Sequence, residues 1–145
     1  MLNFTDHLNM KFIYRLGKFK EEIFLFSFSL FIFTLFDDVV FGADSAVYYI
    51  GAENLYANKG YYTFGLPIYF PMGYSLLILP FFFIFDVSVQ SAILASAMSG
   101  SFTVVLFYKM AQEIADKRLA ILMSFFMIFS YYQWRFSSST YSDIP

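Results

Sequence analysis

One carboxylate in this chain, Asp44, has the surroundings that acid–base chemistry needs. It follows a strongly apolar stretch by a few residues and opens a short amphipathic segment. A carboxylate held beside a bilayer, partly removed from water, binds protons more tightly and can act as a general base. The same side chain can instead cap the first turn of a helix, which is worth about 1 kcal/mol. Asp44 alone is compatible with both roles.

Several other kinds of site lack the residues they require. The chain has no cysteine and a single histidine, His7, which excludes thiolate sites, histidine metal clusters and a Ser-His-Asp triad. We predict no metal-ligand residues, and leave open whether a divalent ion takes part. No glycine-rich phosphate loop supports a nucleotide site. The net charge of −2 likewise gives no electrostatic support for nucleic acid as a partner.

The composition indicates a membrane protein. Aromatic residues make up 24% of the 145 residues and charged residues only 14%. So few charges cannot cover a soluble globule of this size, because a small domain exposes much of its chain to water. Disorder is excluded as well, since it requires low hydrophobicity and high charge. We therefore predict an all-α protein of the cell membrane.

Four stretches of the chain lack charged residues: 23–36, 66–85, 87–108 and 119–134. The second and the third have the length of about 20 residues that a spanning helix needs, and only the third fits without comment. The second contains Pro67, Pro71 and Pro80, and each proline removes a backbone donor and disturbs a helix. We therefore expect this stretch to form a juxtamembrane helix or a re-entrant segment.

The positions of lysine and arginine predict the orientation, because positive charges near the ends of spans stay in the cytoplasm. The N-terminal arm 1–22 and the segment 109–118 hold seven of the nine lysines and arginines, whereas 42–86 is mainly acidic. We expect the arm and 110–118 to be cytoplasmic and 42–86 to be an outer loop. This arrangement requires three crossings, near 23–41, 88–109 and 119–135. The alternative, four transmembrane helices, would place 110–118 outside.

A short amphipathic helix is predicted over 44–57 in the outer loop. Tyr48, Ala52 and Leu55 recur at helical spacing, and Asn58-Lys59-Gly60 is typical of a helix end. We expect this helix to lie flat on the outer leaflet.

Two runs of the outer loop carry a family resemblance, A-D-S-A-V-Y-Y-I-G-A-E-N-L over 43–55 and Y-F-P-M-G-Y-S-L-L-I-L-P over 69–80. They resemble the first extracytoplasmic loop of GT-C glycosyltransferases, most closely the branch with protein O-mannosyltransferases and the lipid A aminoarabinose transferase. In that family an acidic residue opens a helix of the form D-x-x-x-Y-x-x-x-A-x-x-L, matched here by Asp44, Tyr48, Ala52 and Leu55. The runs 107–122 and 137–145 are similar to the family's first cytoplasmic turn and second outer loop.

The resemblance implies transfer of a sugar from a polyprenyl-phosphate-linked lipid to a protein, lipid or glycan acceptor on the outer face. Asp44 would be the general base of an inverting reaction, and Asp143 would be a second outer-loop carboxylate. Many relatives carry an acidic pair where this chain has Asp44 and Ser45. The earlier pair, Asp37 and Asp38, is therefore an alternative, unless it only marks the membrane interface.

The departing phosphate would need a cation, and the predicted outer side offers Arg135 and Lys59. Arg135 can instead reach the interface simply to hydrate its charge, and Lys59 can simply end a helix. We also assign Glu53 and Tyr48 to substrate binding, although Glu53 can equally serve as the polar face of its helix.

Three crossings are too few for a pocket that holds a polyprenyl chain and an acceptor. We therefore expect these residues to be the N-terminal part of such an enzyme, inactive alone. The alternative is a small non-enzymatic membrane protein that packs in a larger complex. Its contact surface would be the small residues that recur every four positions, Ser88, Ala92, Ser96 and Gly100.

Overall fold

The computed structural model describes residues 19–35, 43–63 and 65–138. In these ranges the protein is mostly helical, which confirms the helical part of the predicted class, with six helices and one short antiparallel strand pair that was not predicted. The helices are α1 (Lys20–Leu35), α2 (Ala43–Tyr56), α3 (Gly73–Phe85), α4 (Val89–Gln112), α5 (Lys117–Ile128) and α6 (Tyr131–Ser137). The strands, β1 (Tyr62–Thr63) and β2 (Leu66–Pro67), form a hairpin.

The centre of the fold is α4. Its N-cap is Ser88, whose hydroxyl accepts a hydrogen bond from the backbone N–H of Ser91 at 3.2 Å. The 24 residues of α4 extend about 36 Å. Within the described ranges, α4 is the one helix long and apolar enough to cross a membrane, and 56% of its most apolar window is buried inside the protein. Core helices of soluble proteins also meet this criterion, so it does not by itself place α4 in a bilayer.

The lower layer, as we call it, consists of α1, α5, α6 and the C-terminal part of α4. Glu22 near the start of α1 pairs with Lys109 near the end of α4, while the rings of Phe26 and Phe102 lie 4.9 Å apart. The two helices therefore run antiparallel. A tight turn then leads into α5, where the Asp116 carboxylate accepts a hydrogen bond from a backbone amide of the first turn. The buried core of this layer comprises Leu25, Phe33, Ala97, Val104, Tyr108, Ala111, Ala120 and Ile128.

The upper layer consists of α2, the hairpin, α3 and the N-terminal part of α4. The ring of Tyr48 lies 5.6 Å from that of Tyr74, and the ring of Tyr56 lies 4.9 Å from that of Phe83. These pairs show that α2 runs parallel to α3. The Tyr74 hydroxyl also bonds to Ser96, while α3 ends just before α4 begins, so α3 and α4 are antiparallel.

The packing of α2 differs from the expected flat position on a leaflet. Its face with Tyr48 and Ala52 is buried against α3 instead of being free to contact lipid. Since α3 lies alongside α4, α2 is aligned with α4 too. A helix flat on a membrane crossed by α4 would lie across α4.

The proline-containing segment is less disrupted than expected. Helix α3 begins only at Gly73, and Pro67 lies in β2, but Pro80 does not break α3. The proline ring is on the exposed side, while Ser75, Ile78 and Phe82 pack inwards. This packing holds the helix together through a residue that normally weakens it.

The last predicted crossing, near 119–135, is not one continuous helix. Helix α5 ends at Ile128, and α6 begins at Tyr131. The Ser130 hydroxyl, 3.4 Å from the backbone N of Gln133, caps the new helix and favours the break. The residues of the first predicted crossing beyond Leu35 lie outside the described ranges.

The distribution of side-chain sizes is unusual for a water-soluble fold. Among the described residues, all nine buried polar residues are serines, and six of the fifteen buried apolar residues are alanines. Large apolar side chains lie on the outside instead, with Phe31 57%, Leu106 64% and Phe126 71% exposed. Small residues inside and large apolar residues outside are typical of helices that pack within lipid.

Candidate functional site

Asp44 lies in the first turn of α2, which begins at Ala43, and its side chain is half-buried. Among the described residues, none donates a hydrogen bond to this carboxylate. Asp44 precedes Tyr48 by one turn, about 6 Å along the axis. Tyr48 lies at the level of the Tyr74–Ser96 contact. Because α2 and α3 both run antiparallel to α4, going back along α2 from Tyr48 to Asp44 means moving towards the C-terminal end of α4, which belongs to the lower layer. Asp44 therefore lies at the junction of the two layers.

Tyr48, the predicted substrate-binding residue nearest to Asp44, is only 8% exposed. Its ring packs between Phe70 at 5.8 Å and Tyr74 at 5.6 Å. Its backbone carbonyl accepts a hydrogen bond from the Ser75 hydroxyl at 2.8 Å. These contacts fasten α2 to α3, so Tyr48 holds Asp44 in place more than it faces a ligand.

Two hydroxyl contacts complete the support of this junction. The Tyr74 and Ser96 hydroxyls bond to each other, joining α3 to α4, and Tyr61 reaches Ser75 at 3.3 Å, joining the hairpin to α3. Burial raises the pKa of the Tyr74 phenol, so the hydroxyl stays protonated at neutral pH and can donate.

The short helix α6 packs on α4 one turn below Ser96. The side-chain amide of Gln133 donates to the Gly100 carbonyl at 3.2 Å and to the Ser137 hydroxyl at 3.2 Å. Arg135 is about 200° around α6 from Gln133 and is exposed; it donates to the Tyr131 hydroxyl and lies over the Tyr131 ring. Arg135 thus lies on the side of α6 opposite Gln133. Measured along α4, however, α6 is at about the same height as the first turn of α2.

Two other predicted binding residues are remote from Asp44. Glu53 lies about 13 Å further along α2 and is exposed. Burial of Tyr49, together with the nearby charge of Glu53, raises the pKa of the Tyr49 phenol. Lys59 follows the end of α2, in a turn where Asn58 (φ 55°) and Gly60 (φ 83°) have left-handed backbones. The predicted helix end at Asn58-Lys59-Gly60 is confirmed, but Lys59 is at the opposite end of α2 from Asp44.

The remaining predicted site residues are not placed. Asp143, Asp37 and Asp38 lie outside the described ranges. Within those ranges, no group of three or more His, Cys, Asp or Glu side chains is arranged to hold a metal ion.

A charged cluster at the end of the lower layer was not predicted. Glu21 pairs with Lys117 of α5 at 2.5 Å, and Glu22 pairs with Lys109 of α4. The hydrogen bond from Lys117 lowers the pKa of Glu21, and the same contact raises the pKa of Lys117. The sequence does contain opposite charges at the ends of neighbouring apolar stretches, and pairing them would have revealed this cluster. The charged cluster brings the start of α1, the end of α4 and the start of α5 to the same side of the lower layer.

The face of small residues on α4 is occupied within the chain itself. Ala92 belongs to the core shared with α3, Ser96 bonds to Tyr74, and a Cβ on Gly100 would lie 2.5 Å from that of Ser137. The prediction that this face permits close helix packing is confirmed. A partner protein would have to contact another surface.

The described part of the chain thus brings Asp44 and Tyr48 together at a layer junction, with α6 and Arg135 near the same level, and leaves Glu53 and Lys59 at the opposite end of α2. Comparison with protein-family models, with curated proteins and with solved structures finds no match for this chain.

Proposed function

We propose that this protein crosses a membrane three times, through α1, α4 and the pair α5–α6, with the charged cluster on the cytoplasmic side. A membrane location is supported by the distribution of side-chain sizes: the buried residues are mainly serine and alanine, while large apolar side chains are exposed on the outside. In water such a surface would be a severe aggregation liability.

The antiparallel packing of α1 and α4 favours three crossings over four. With four crossings, these helices would be the first and the third, and they would run parallel. Helix α3 is also short, since its 13 residues extend about 20 Å against a hydrocarbon core of about 30 Å. On this view the upper layer, with Asp44, is on the outer side.

The function we propose is transfer of a sugar from a polyprenyl-phosphate-linked donor to an acceptor at the outer face. An acceptor hydroxyl or amine attacks the anomeric carbon as the bond to the phosphate breaks, so the configuration inverts. The carboxylate of Asp44 removes the acceptor proton. Its half-buried position and its lack of a hydrogen-bond donor among the described residues support this role, since a base must have a free oxygen. Arg135, near the same level, is the better placed of the two predicted cations to neutralise the phosphate.

Replacement of the carboxylate tests this proposal. Because we expect these residues to act only as part of a longer enzyme, the variant is made in the full-length protein in its native membrane. There, Asp44→Asn should reduce transfer from the lipid-linked sugar about 10²–10⁴-fold while membrane insertion is retained. The matched control is Asp86→Asn. Asp86 is an exposed carboxylate that directly follows the C-terminal end of α3, and asparagine tolerates its φ of 68°. Normal transfer by Asp44→Asn, or equal loss in both variants, would contradict the proposal.

A further inference from the structure

The hydroxyl of Ser75 donates to a different kind of partner from the other buried helical hydroxyls. Those of Ser29, Ser101 and Ser124 donate to the carbonyl four residues earlier in their own helix. Ser75 is the third residue of α3, so the carbonyl four residues earlier lies before the helix begins. Its hydroxyl crosses to α2 instead and donates to the Tyr48 carbonyl at 2.8 Å. The bond therefore joins two helices, whereas the others each stay within one.

Ser75 also connects the hairpin to α2. A serine hydroxyl has one proton, and Ser75 gives it to the Tyr48 carbonyl, so the Tyr61 hydroxyl, 3.3 Å away, donates to Ser75. A backbone carbonyl has two lone pairs and can accept this bond in addition to the one along its own helix. Because Ser75 is fully buried, water does not compete for these bonds. The hydroxyls of Tyr61 and Ser75 thus link the hairpin, α3 and α2 in one chain of hydrogen bonds.

Two hydrogen bonds hold α2 to its neighbours at different distances from Asp44. The bond from Ser75 reaches Tyr48, one turn from Asp44 and about 6 Å along the axis. The side-chain amide of Asn54 donates to the Tyr62 carbonyl at 2.7 Å, about 15 Å along the axis from Asp44. The ring contacts of Tyr48 allow sliding, whereas a hydrogen bond fixes a direction and a distance. The bond from Ser75 therefore fixes the height and rotation of the turn that carries Asp44.

We infer that Ser75 is a positioning residue for the proposed sugar transfer: its hydrogen bond to α2 holds the Asp44 carboxylate where it can reach the acceptor proton. This inference rests on the proposed function, which makes Asp44 the base. A general base works only within hydrogen-bond reach, and a displacement of about 1 Å can slow a reaction about 10²-fold. Ser75 is fully buried and does not touch the substrates, so its loss changes turnover and leaves substrate binding unchanged.

Ser75→Ala removes this hydroxyl, and Ser124→Ala is the matched control. Ser124 is equally buried and its hydroxyl also donates at 2.8 Å, but within α5. Both variants are made in the full-length protein, and transfer in membrane vesicles is measured from synthetic polyprenyl phosphates that carry tritiated hexoses or pentoses. The sugar that the unmodified protein transfers is used throughout, and transfer of none of them contradicts the proposed function. Rates are divided by the amount of folded protein, so that a loss of stability does not count as a loss of turnover.

We expect kcat of Ser75→Ala to fall about 10–100-fold, with KM for the lipid-linked sugar unchanged. The kcat of Ser124→Ala should equal that of the unmodified protein. An equal kcat for the two variants, or a change in KM alone, would overturn the inference.

A second pair of variants separates the hydroxyl from the shape of the side chain. Threonine and valine have the same shape and differ in the hydroxyl. Ser75→Thr should therefore turn over about 10-fold faster than Ser75→Val, and equal rates would count against the positioning role. Asp44→Asn in the same assay separates the two proposals. If Asp44→Asn is inactive and Ser75→Ala has a normal kcat, only the role of Ser75 is wrong; if Asp44→Asn is fully active, the proposed function fails and Ser75 has no base to position.

Discussion

The packing of α6 on α4 makes Gly100→Ala a demanding test of the fold. The added Cβ would lie 2.0 Å from the Ser137 hydroxyl oxygen and 2.5 Å from its Cβ. Rotation of the short serine side chain relieves only the first contact, so the backbone of α6 must move away. That movement would also lengthen the hydrogen bond from Gln133 to the Gly100 carbonyl, now 3.2 Å.

The expected loss of stability follows from three terms. Overpacking of a tight contact costs about 1–3 kcal/mol. The weakened hydrogen bond adds about 1 kcal/mol. Against these, alanine stabilises a helix interior by about 0.5–1 kcal/mol relative to glycine. The net loss is about 1–3 kcal/mol, which lowers Tm by about 3–10 °C for a chain of this size.

Thermal unfolding in detergent micelles measures this loss. The control is Gly73→Ala, since no heavy atom lies within 4 Å of the position a Cβ would take at Gly73, and we expect its Tm to be unchanged or slightly raised. The double variant Gly100→Ala with Ser137→Gly removes the clashing atoms and should recover most of the loss. An unchanged Tm for Gly100→Ala, or no recovery in the double variant, would refute the placement of α6.

Two further predictions follow from the contacts. Gly51→Ala should lower the free energy of unfolding by about 1–2 kcal/mol, because its Cβ would lie 2.5 Å from the Tyr61 ring that holds the hairpin; a Tm equal to that of Gly73→Ala would contradict this. The pKa of Glu21 is lower in the folded state than the ordinary glutamate value of 4.5, because Glu21 pairs with Lys117. The pair therefore stabilises the folded state at pH values above 4.5, and this stabilisation is lost as the pH falls through the folded-state pKa. Glu21→Gln should therefore reduce Tm at pH 7 and flatten its fall in acid, and an unchanged acid dependence of Tm would show that the pair does not stabilise the fold.

Features that depend on local sequence were predictable. The bounds expected for the central span, 88–109, nearly match α4, because its flanks are a capping serine and a lysine. The end of α2 follows from Asn58 and Gly60, which readily adopt left-handed backbones. The packing face of α4 follows from the recurrence of small residues.

Features that depend on contacts distant in sequence were not predictable. The amphipathic pattern of α2 shows which face is buried, but it does not tell a lipid surface from α3. The break between α5 and α6 depends on the cap at Ser130 and on the fit of Gln133 and Ser137 to Gly100, which no periodicity reveals. The separation of Lys59 from Asp44, by contrast, follows from the predicted length of α2, although charge alone had grouped the two residues.

Labelling from the two sides of the membrane tests the proposed topology most directly. The chain has no cysteine, so single variants need no altered background. Lys59→Cys places a thiol in the turn after α2, and Glu113→Cys places one in the turn after α4; both sites are exposed. With an impermeant maleimide on intact cells, we predict that the thiol at position 59 is labelled and that the thiol at position 113 is labelled only after permeabilisation. Labelling of both positions from the same side would contradict the three-crossing arrangement.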